Sequence, residues 1–187
     1  MDGSLTLIVL VVLTFATALN LFLTLRLAAK VRTAAELSAP PSSLPIGRTV
    51  PAFEGTRRAD GARIASQDLA GQAAVLVFLS AGCPKCREKA AELLEILPAV
   101  RRAGVALWII GADAAHDVSQ VLGTSPLLDH VLVLDAAARQ RLNPRGAAPF
   151  YIFIDDRSVV QASSFVGDED WLSFVGQMRE IAVQAPE

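Results

Sequence analysis

The sequence predicts an α/β fold, a central mixed β-sheet flanked by helices on both faces, preceded by one N-terminal transmembrane helix. Three observations carry this expectation. Short apolar runs alternate with amphipathic segments through the second two-thirds of the chain, an order that calls for a sheet covered by helices. The run AAVLVFLS at 73–80 is apolar throughout, as in a strand buried on both faces. And Leu5–Leu25 passes 21 residues without a charge, enough for a helix rising about 1.5 Å per residue to cross a hydrocarbon core of roughly 30 Å.

The expected organisation is an N-terminal tail over 1–4, a transmembrane helix over 5–27, a linker over 28–49 and a folded domain over 50–187. The threonines in the apolar run are tolerable because their hydroxyls can bond back to the helix backbone. A cleaved signal peptide would need a basic start and a shorter apolar stretch, whereas this chain opens MDGS and places Arg26, Lys30 and Arg32 after the run. SAPPSSLP at 38–45 reads as a stiff solvated linker, since adjacent prolines cannot continue a helix.

Within the domain, Phe53–Arg57 and Ala62–Ser66 flank Asp60-Gly61, a hairpin signal. After the 73–80 strand, helical spacing over 84–102 aligns Ala90, Leu93, Leu94, Leu97 and Val100 in one apolar stripe, with Pro98 expected to kink or shorten the helix. VALWII at 105–110 and VLVL at 131–134 are strands, with helix candidates at 114–123 and 136–142. FYIFI at 150–154, an Asp155-Asp156 turn and SVVQASSF at 158–165 form a second hairpin. A closing amphipathic helix begins near Asp168, Glu169 and Asp170, acids that suit the positive end of the helix dipole.

Formal net charge is −2 with a pI near 5.7, so no basic field points to nucleic acid. The chemistry lies in SAGCPKCREK at 80–89, which holds both cysteines of the chain. Cys83 falls where a buried strand gives way to a helix, and free N–H groups and the dipole stabilise an anion there. Pro84 suits the first helical position, which needs no donor, and Lys85 adds positive charge. These features favour Cys83 as the attacking thiolate. Cys86, one turn further in, is the resolving thiol. A zinc site needs more ligands than this pair, and His116 and His130 have no ligand-like spacing to it; copper held by two cysteines and a histidine would need one of the same two. A clip across three residues closes almost no loop and contributes little stability as a structural disulfide. Redox exchange is the reading that uses both thiols, with no metal or other cofactor expected. Downstream, Pro149 leads into the FYIFI strand, where a proline is permitted and a cis bond is available.

A buried strand ending in a Cys-x-x-Cys helix, followed by a proline before an FYIFID-type strand, resembles the thioredoxin fold. Together with the N-terminal anchor, the stretches IGRTVPAF, ADGARIASQDLAGQAAVLVFLSAGCPKCREK and APFYIFIDDRSVV resemble the TlpA-like thiol–disulfide oxidoreductases. FLSAGCPKCR is most similar to the branch that includes the methylamine-utilisation protein MauD. The resemblance implies that Cys83 is the nucleophile, Cys86 resolves the mixed disulfide and Pro149 is the cis-proline beside them. It also implies substrate contacts from Gly82, Pro84, Lys85 and Ala148, the last offering its backbone to an extended chain. Three positions depart from the family. Gly82 stands where tryptophan is frequent, Val77 where a buried acid lies beneath the dithiol, and Ala91 where a proline kinks the helix. With no acid at Val77, water or Glu88 is left to take the Cys86 proton.

The expected function is thus disulfide exchange with a cysteine-containing protein substrate, fed by a membrane or soluble electron donor or acceptor. The alternatives are a peroxiredoxin-like thiol peroxidase, because Ser80-Ala81-Gly82-Cys83 mimics a Ser/Thr-x-x-Cys setting, and a non-catalytic assembly module. The basic flank after the anchor argues for a cytoplasmic domain, the resemblance for an extracytoplasmic one, and the second is the expectation. Trp108 and Trp171 are expected in the core, and His116 and His130 at the surface.

Overall fold

In the computed structural model the described residues are Leu13, Thr17, 43–111 and 118–184. The chain divides into Met1–Pro40 and Pro41–Glu187. Apart from Leu13 and Thr17, the transmembrane helix expected over 5–27 lies outside the described residues, as does most of the linker. Among the described residues, no helix is long and apolar enough to cross a membrane. Leu13 and Thr17 are helical, and Thr17 Oγ1 donates to the Leu13 carbonyl at 3.0 Å.

The folded unit runs β1 (Glu54–Arg57), β2 (Arg63–Ala65), β3 (Ala74–Leu79), α1 (Pro84–Arg102), β4 (Ala106–Gly111), α2 (Ser119–Leu122), β5 (Leu132–Leu134), α3 (Ala136–Leu142), β6 (Phe150–Ile154), β7 (Val160–Phe165) and α4 (Glu169–Gln184). The central sheet is mixed, in the order β4-β3-β6-β7, with β3 parallel to β4 and antiparallel to β6. All six residues of β3 are buried. Alternation along β3 then splits the core into two layers. Val75, Val77 and Leu79 pack with α1 and with Trp171, Val175 and Met178 of α4. Leu76 and Phe78 face the opposite layer, with Phe53, Leu132, Leu134 and the α3 residues Ala138 and Leu142. Helices therefore cover both faces, as expected.

The sheet itself differs from expectation. The N-terminal hairpin and β5 form a separate three-stranded sheet, β2-β1-β5. It touches the central sheet through an isolated bridge from Ile109 to Val131. Gly55 permits this pairing: a Cβ there would sit 2.5 Å from Leu134 Cδ2 and 2.9 Å from Leu132 Cδ1.

Helix α1 has the expected ends, and Ala90, Leu93, Leu97 and Val100 of its expected stripe are buried, but Leu94 is not and Ile96 is. Leu94 is 39% exposed, whereas Ile96 is 1% exposed. The face that binds α1 receives α4 as well as the sheet, so its apolar stripe is wider and rotated from the one read off the spacing. Pro98 does not end the helix, which continues to Arg102. Pro98 and Leu94 lie on the exposed side, so the missing donor falls on the solvent face of the helix and not in the core. Trp171 is fully buried, 5.3 Å from Tyr151 and stacked on Phe153 at 6.1 Å. Trp108 is only half-buried, with its Nε1 buried and unpartnered.

Packing begins before residue 50. Leu44 is buried and its N–H donates to Ser163 Oγ at 3.0 Å. Gly47 N–H donates to the Val160 carbonyl and Val50 N–H to the Ser158 carbonyl, both at 2.8 Å. The last residues of the stretch read as linker thus lie against the β7 edge.

Candidate active site

Strand β3 ends at Leu79 and helix α1 starts at Pro84, so residues 80–83 form a tight corner at the carboxyl end of a buried strand. Cys83 is the N-cap residue, with extended backbone angles and Pro84 at the first helical position. Its N–H donates to the Ser80 carbonyl at 3.1 Å. Its carbonyl and its Sγ both accept from Cys86 N–H, at 3.1 and 3.2 Å. The Cys83 sulfur therefore occupies the position that a serine or aspartate oxygen takes in an ordinary cap, facing the first turn of the helix. Both cysteines are free thiols, Cys83 half-buried and Cys86 fully buried.

Burial pushes the Cys86 thiol up to about 12, reinforced by its hydrogen bond to the Cys83 sulfur and opposed by the Ser80 N–H, which donates to Cys86 Sγ at 3.5 Å. Cys86 thus holds its proton while Cys83 is the accessible sulfur.

The second half of the site comes from a loop more than 60 residues away. The Ala148–Pro149 peptide is cis and Pro149 is buried. The Pro149 carbonyl accepts from Val166 N–H at 3.1 Å. This places the Ala148 carbonyl 3.6 Å from Cys83 Sγ, where the thiol can donate to it. Cys83, Cys86, Ala148 and Pro149 are therefore brought together. Gly82, Pro84 and Lys85 are exposed on the rim beside Cys83. A Cβ on Gly82 would meet nothing within 4 Å, so its smallness leaves one approach to Cys83 uncovered rather than relieving a clash.

Val77, at the position of the family's buried acid, is fully buried and paired with Ile109 and Tyr151 across the sheet. Glu88 is exposed on α1. The polar groups under α1 and α4 are Tyr151, whose hydroxyl donates to Asp168 Oδ1 and Oδ2 at 2.9 and 3.1 Å, and Glu92, which accepts from Lys89 Nζ at 2.8 Å and Trp171 Nε1 at 3.4 Å. Burial pushes the Tyr151 hydroxyl well above its ordinary range, with Asp168 adding to it. His130 is less exposed than the sequence suggests: Nδ1 lies 3.0 Å from the Leu107 carbonyl and Nε2 2.9 Å from Arg101 Nη2. His116 lies outside the described residues. Among the described residues, no group of three histidine, cysteine or acidic side chains is placed to hold a metal ion.

Sequence reasoning missed two contributors. The Ser80 N–H is a backbone donor with no side-chain signature. Asn143, whose side-chain amide bonds the N–H and the carbonyl of Ala147, has only a turn signal in the sequence, an Asn-Pro pair after a short helix.

Residues 46–163, more than half of the chain, match the AhpC/TSA family. No curated protein sequence matches the chain. Among solved structures, the thioredoxin domain of a thiol-disulfide oxidoreductase from Bacteroides vulgatus is 19% identical, with a TM-score of 0.58 over 73% of this chain and 99% of that one. A thiol:disulfide interchange protein from Bacteroides sp. is 18% identical, with a TM-score of 0.55 over 73% of this chain and 91% of that one. Yeast Sco1 with copper bound is 16% identical, with a TM-score of 0.52 over 79% of this chain and 97% of that one. The fold is therefore thioredoxin-like.

Proposed function

We propose that this chain, which belongs to the AhpC/TSA family, is a membrane-anchored thiol–disulfide oxidoreductase acting on protein cysteines through Cys83 and Cys86. One observation carries the reading: a half-buried sulfur caps a 19-residue helix, with a fully buried thiol one turn inside and a backbone carbonyl 3.6 Å from the outer sulfur. An accessible attacking group and a sequestered resolving group are what two-step exchange requires.

In the reducing direction, the Cys83 thiolate attacks one sulfur of a partner disulfide. The Cys83–partner bond forms, the partner S–S bond breaks, and the other partner sulfur leaves as a thiolate and takes up a proton. Cys86 then loses its proton to water and attacks Cys83 Sγ. The Cys83–Cys86 bond forms, the mixed disulfide breaks, and the second partner thiolate is protonated. The partner gains two electrons and this chain loses two. The reverse sequence oxidises a partner dithiol, and the electron donor or acceptor that resets Cys83 and Cys86 sets the direction.

The uncharged run Leu5–Leu25 supports single-pass anchoring in the cell membrane. The TlpA-like resemblance supports an extracytoplasmic domain, and FLSAGCPKCR supports the MauD-like branch and a role in maturing a disulfide-containing partner. The test uses the full-length chain with Cys86→Ser. This variant accumulates a mixed disulfide through Cys83 with a partner cysteine, and a further Cys83→Ser change abolishes it. If wild-type Cys83 and Cys86 never join across a glutathione and dithiothreitol titration, the reading fails. A thiol peroxidase would instead consume peroxide rapidly in a Cys83-dependent way.

A further inference from the structure

We infer that Asn143 is a positioning residue of this site, which holds the Ala148 backbone against Cys83 for an extended disulfide-bearing chain; the inference rests on the dithiol reading above. Asn143 is a buried polar side chain, at 3% exposure. A buried amide must find partners for a donor and an acceptor, and Asn143 finds both on a single residue. Its Nδ2 donates to the Ala147 carbonyl at 2.8 Å, and its Oδ1 accepts from the Ala147 N–H at 3.0 Å. The side chain thereby pairs with the peptide as a neighbouring strand would.

The backbone of Asn143 completes the clamp. Its N–H donates to the Arg139 carbonyl at 2.8 Å, joining it to the end of α3, and its carbonyl accepts from Gly146 N–H at 2.9 Å. Gly146 takes a φ of 60° that closes the turn. Residue 147 is therefore tied to a helix end on one side. Two residues later, the Pro149 carbonyl is tied to Val166, the residue just past β7. Ala148 hangs between these two anchors, with its carbonyl 3.6 Å from Cys83 Sγ.

Few side chains can do this. Aspartate offers two acceptors and would set an oxygen against the Ala147 carbonyl, while alanine leaves both groups of half-buried Ala147 without these partners. Loss of the clamp frees the Ala148 backbone but leaves Cys83 on its helix cap. The consequence is selective: a reagent that needs only the sulfur is unaffected, and a chain that must pair with Ala148 is not.

The experiment compares full-length wild type with Asn143→Asp and Asn143→Ala. One readout is the kinetics of exchange with an extended disulfide-linked peptide, separated into kcat and KM. The other is the iodoacetamide alkylation rate of Cys83. A displaced loop predicts a loss in kcat/KM of about tenfold or more, mainly through KM. Alkylation changes less than about threefold, because Cys83 keeps its place and its exposure on the helix cap. Should Asn143→Ala fail to fold, Asn143→Asp, which keeps one bond, carries the comparison. Parallel losses in both assays, or no loss in either, overturn the assignment. A wild type that exchanges with no disulfide overturns the dithiol reading, whereas active variants beside an active wild type overturn only the role of Asn143.

Discussion

The structure hides one thiol and presents the other, and the consequence for Cys86 can be put in numbers. Cys86 is fully buried, and burial is the largest cause of a thiol pKa moved from 9.0 to about 12. At pH 8 a shift of that size lowers the thiolate fraction by about a thousandfold relative to the unfolded chain. Cys83→Ser isolates the effect, since only Cys86 then remains to react. The serine removes the smaller contribution of the Cys83 sulfur and leaves burial, so native Cys86 is expected to react at least about a hundredfold more slowly than in denaturant. Iodoacetamide pulses read by intact mass, with and without denaturant at pH 8, measure the ratio. A native rate within about threefold of the denatured rate would refute the reasoning, because the inner thiol would then be neither desolvated nor protonated. The same shift sets a pH dependence. Between pH 9 and about 12 the folded state keeps a proton that the unfolded state has lost. Stability of the dithiol form is therefore full below pH 9 and falls as pH rises toward 12, by at most about 1.4 kcal/mol per pH unit. The disulfide form has no thiol to titrate and lacks this loss.

Two further outcomes test the packing around the site. Tyr151→Phe removes the hydroxyl that bonds both oxygens of Asp168; urea unfolding should show a loss of about 1–3 kcal/mol, and an unchanged midpoint would mean that the pair contributes nothing. A fragment beginning at Pro51 loses the buried Leu44 and Val50 together with their bonds to Ser163 and Ser158. It should be less stable by about 2–5 kcal/mol than one beginning at Pro41, and equal melting temperatures would show that the segment before Pro51 is a spectator.

Much of the domain was legible because its signals are local. A strand buried on both faces reads as an unbroken apolar run, and 73–80 contains β3 within one residue at each end. Helix α1 begins and ends as the sequence suggests because Cys83-Pro84 is a strong N-terminal signal and Gly104 follows its last turn. The exchange of Leu94 for Ile96 on its buried face was not legible. Which residues of a broad apolar stripe are covered depends on where α4 packs, and α4 lies some 70 residues away in the chain. The second sheet was hidden for a similar reason: β5 is three residues long, and its partner β1 is chosen by shape at Gly55, not by any pattern within β5.

The candidate site divides along the same line. By itself the sequence determined that two thiols sit one helical turn apart at a strand-to-helix corner, with the first at the cap, because periodicity, Pro84 and the apolar run are properties of contiguous residues. Only the tertiary structure decided what surrounds them. The full burial of Cys86 and the Ala148 carbonyl 3.6 Å from Cys83 depend on segments that meet only when the sheet pairs β3 with β6. Such contacts carry no local trace, because their energy comes from desolvation and hydrogen bonding between groups distant in the chain.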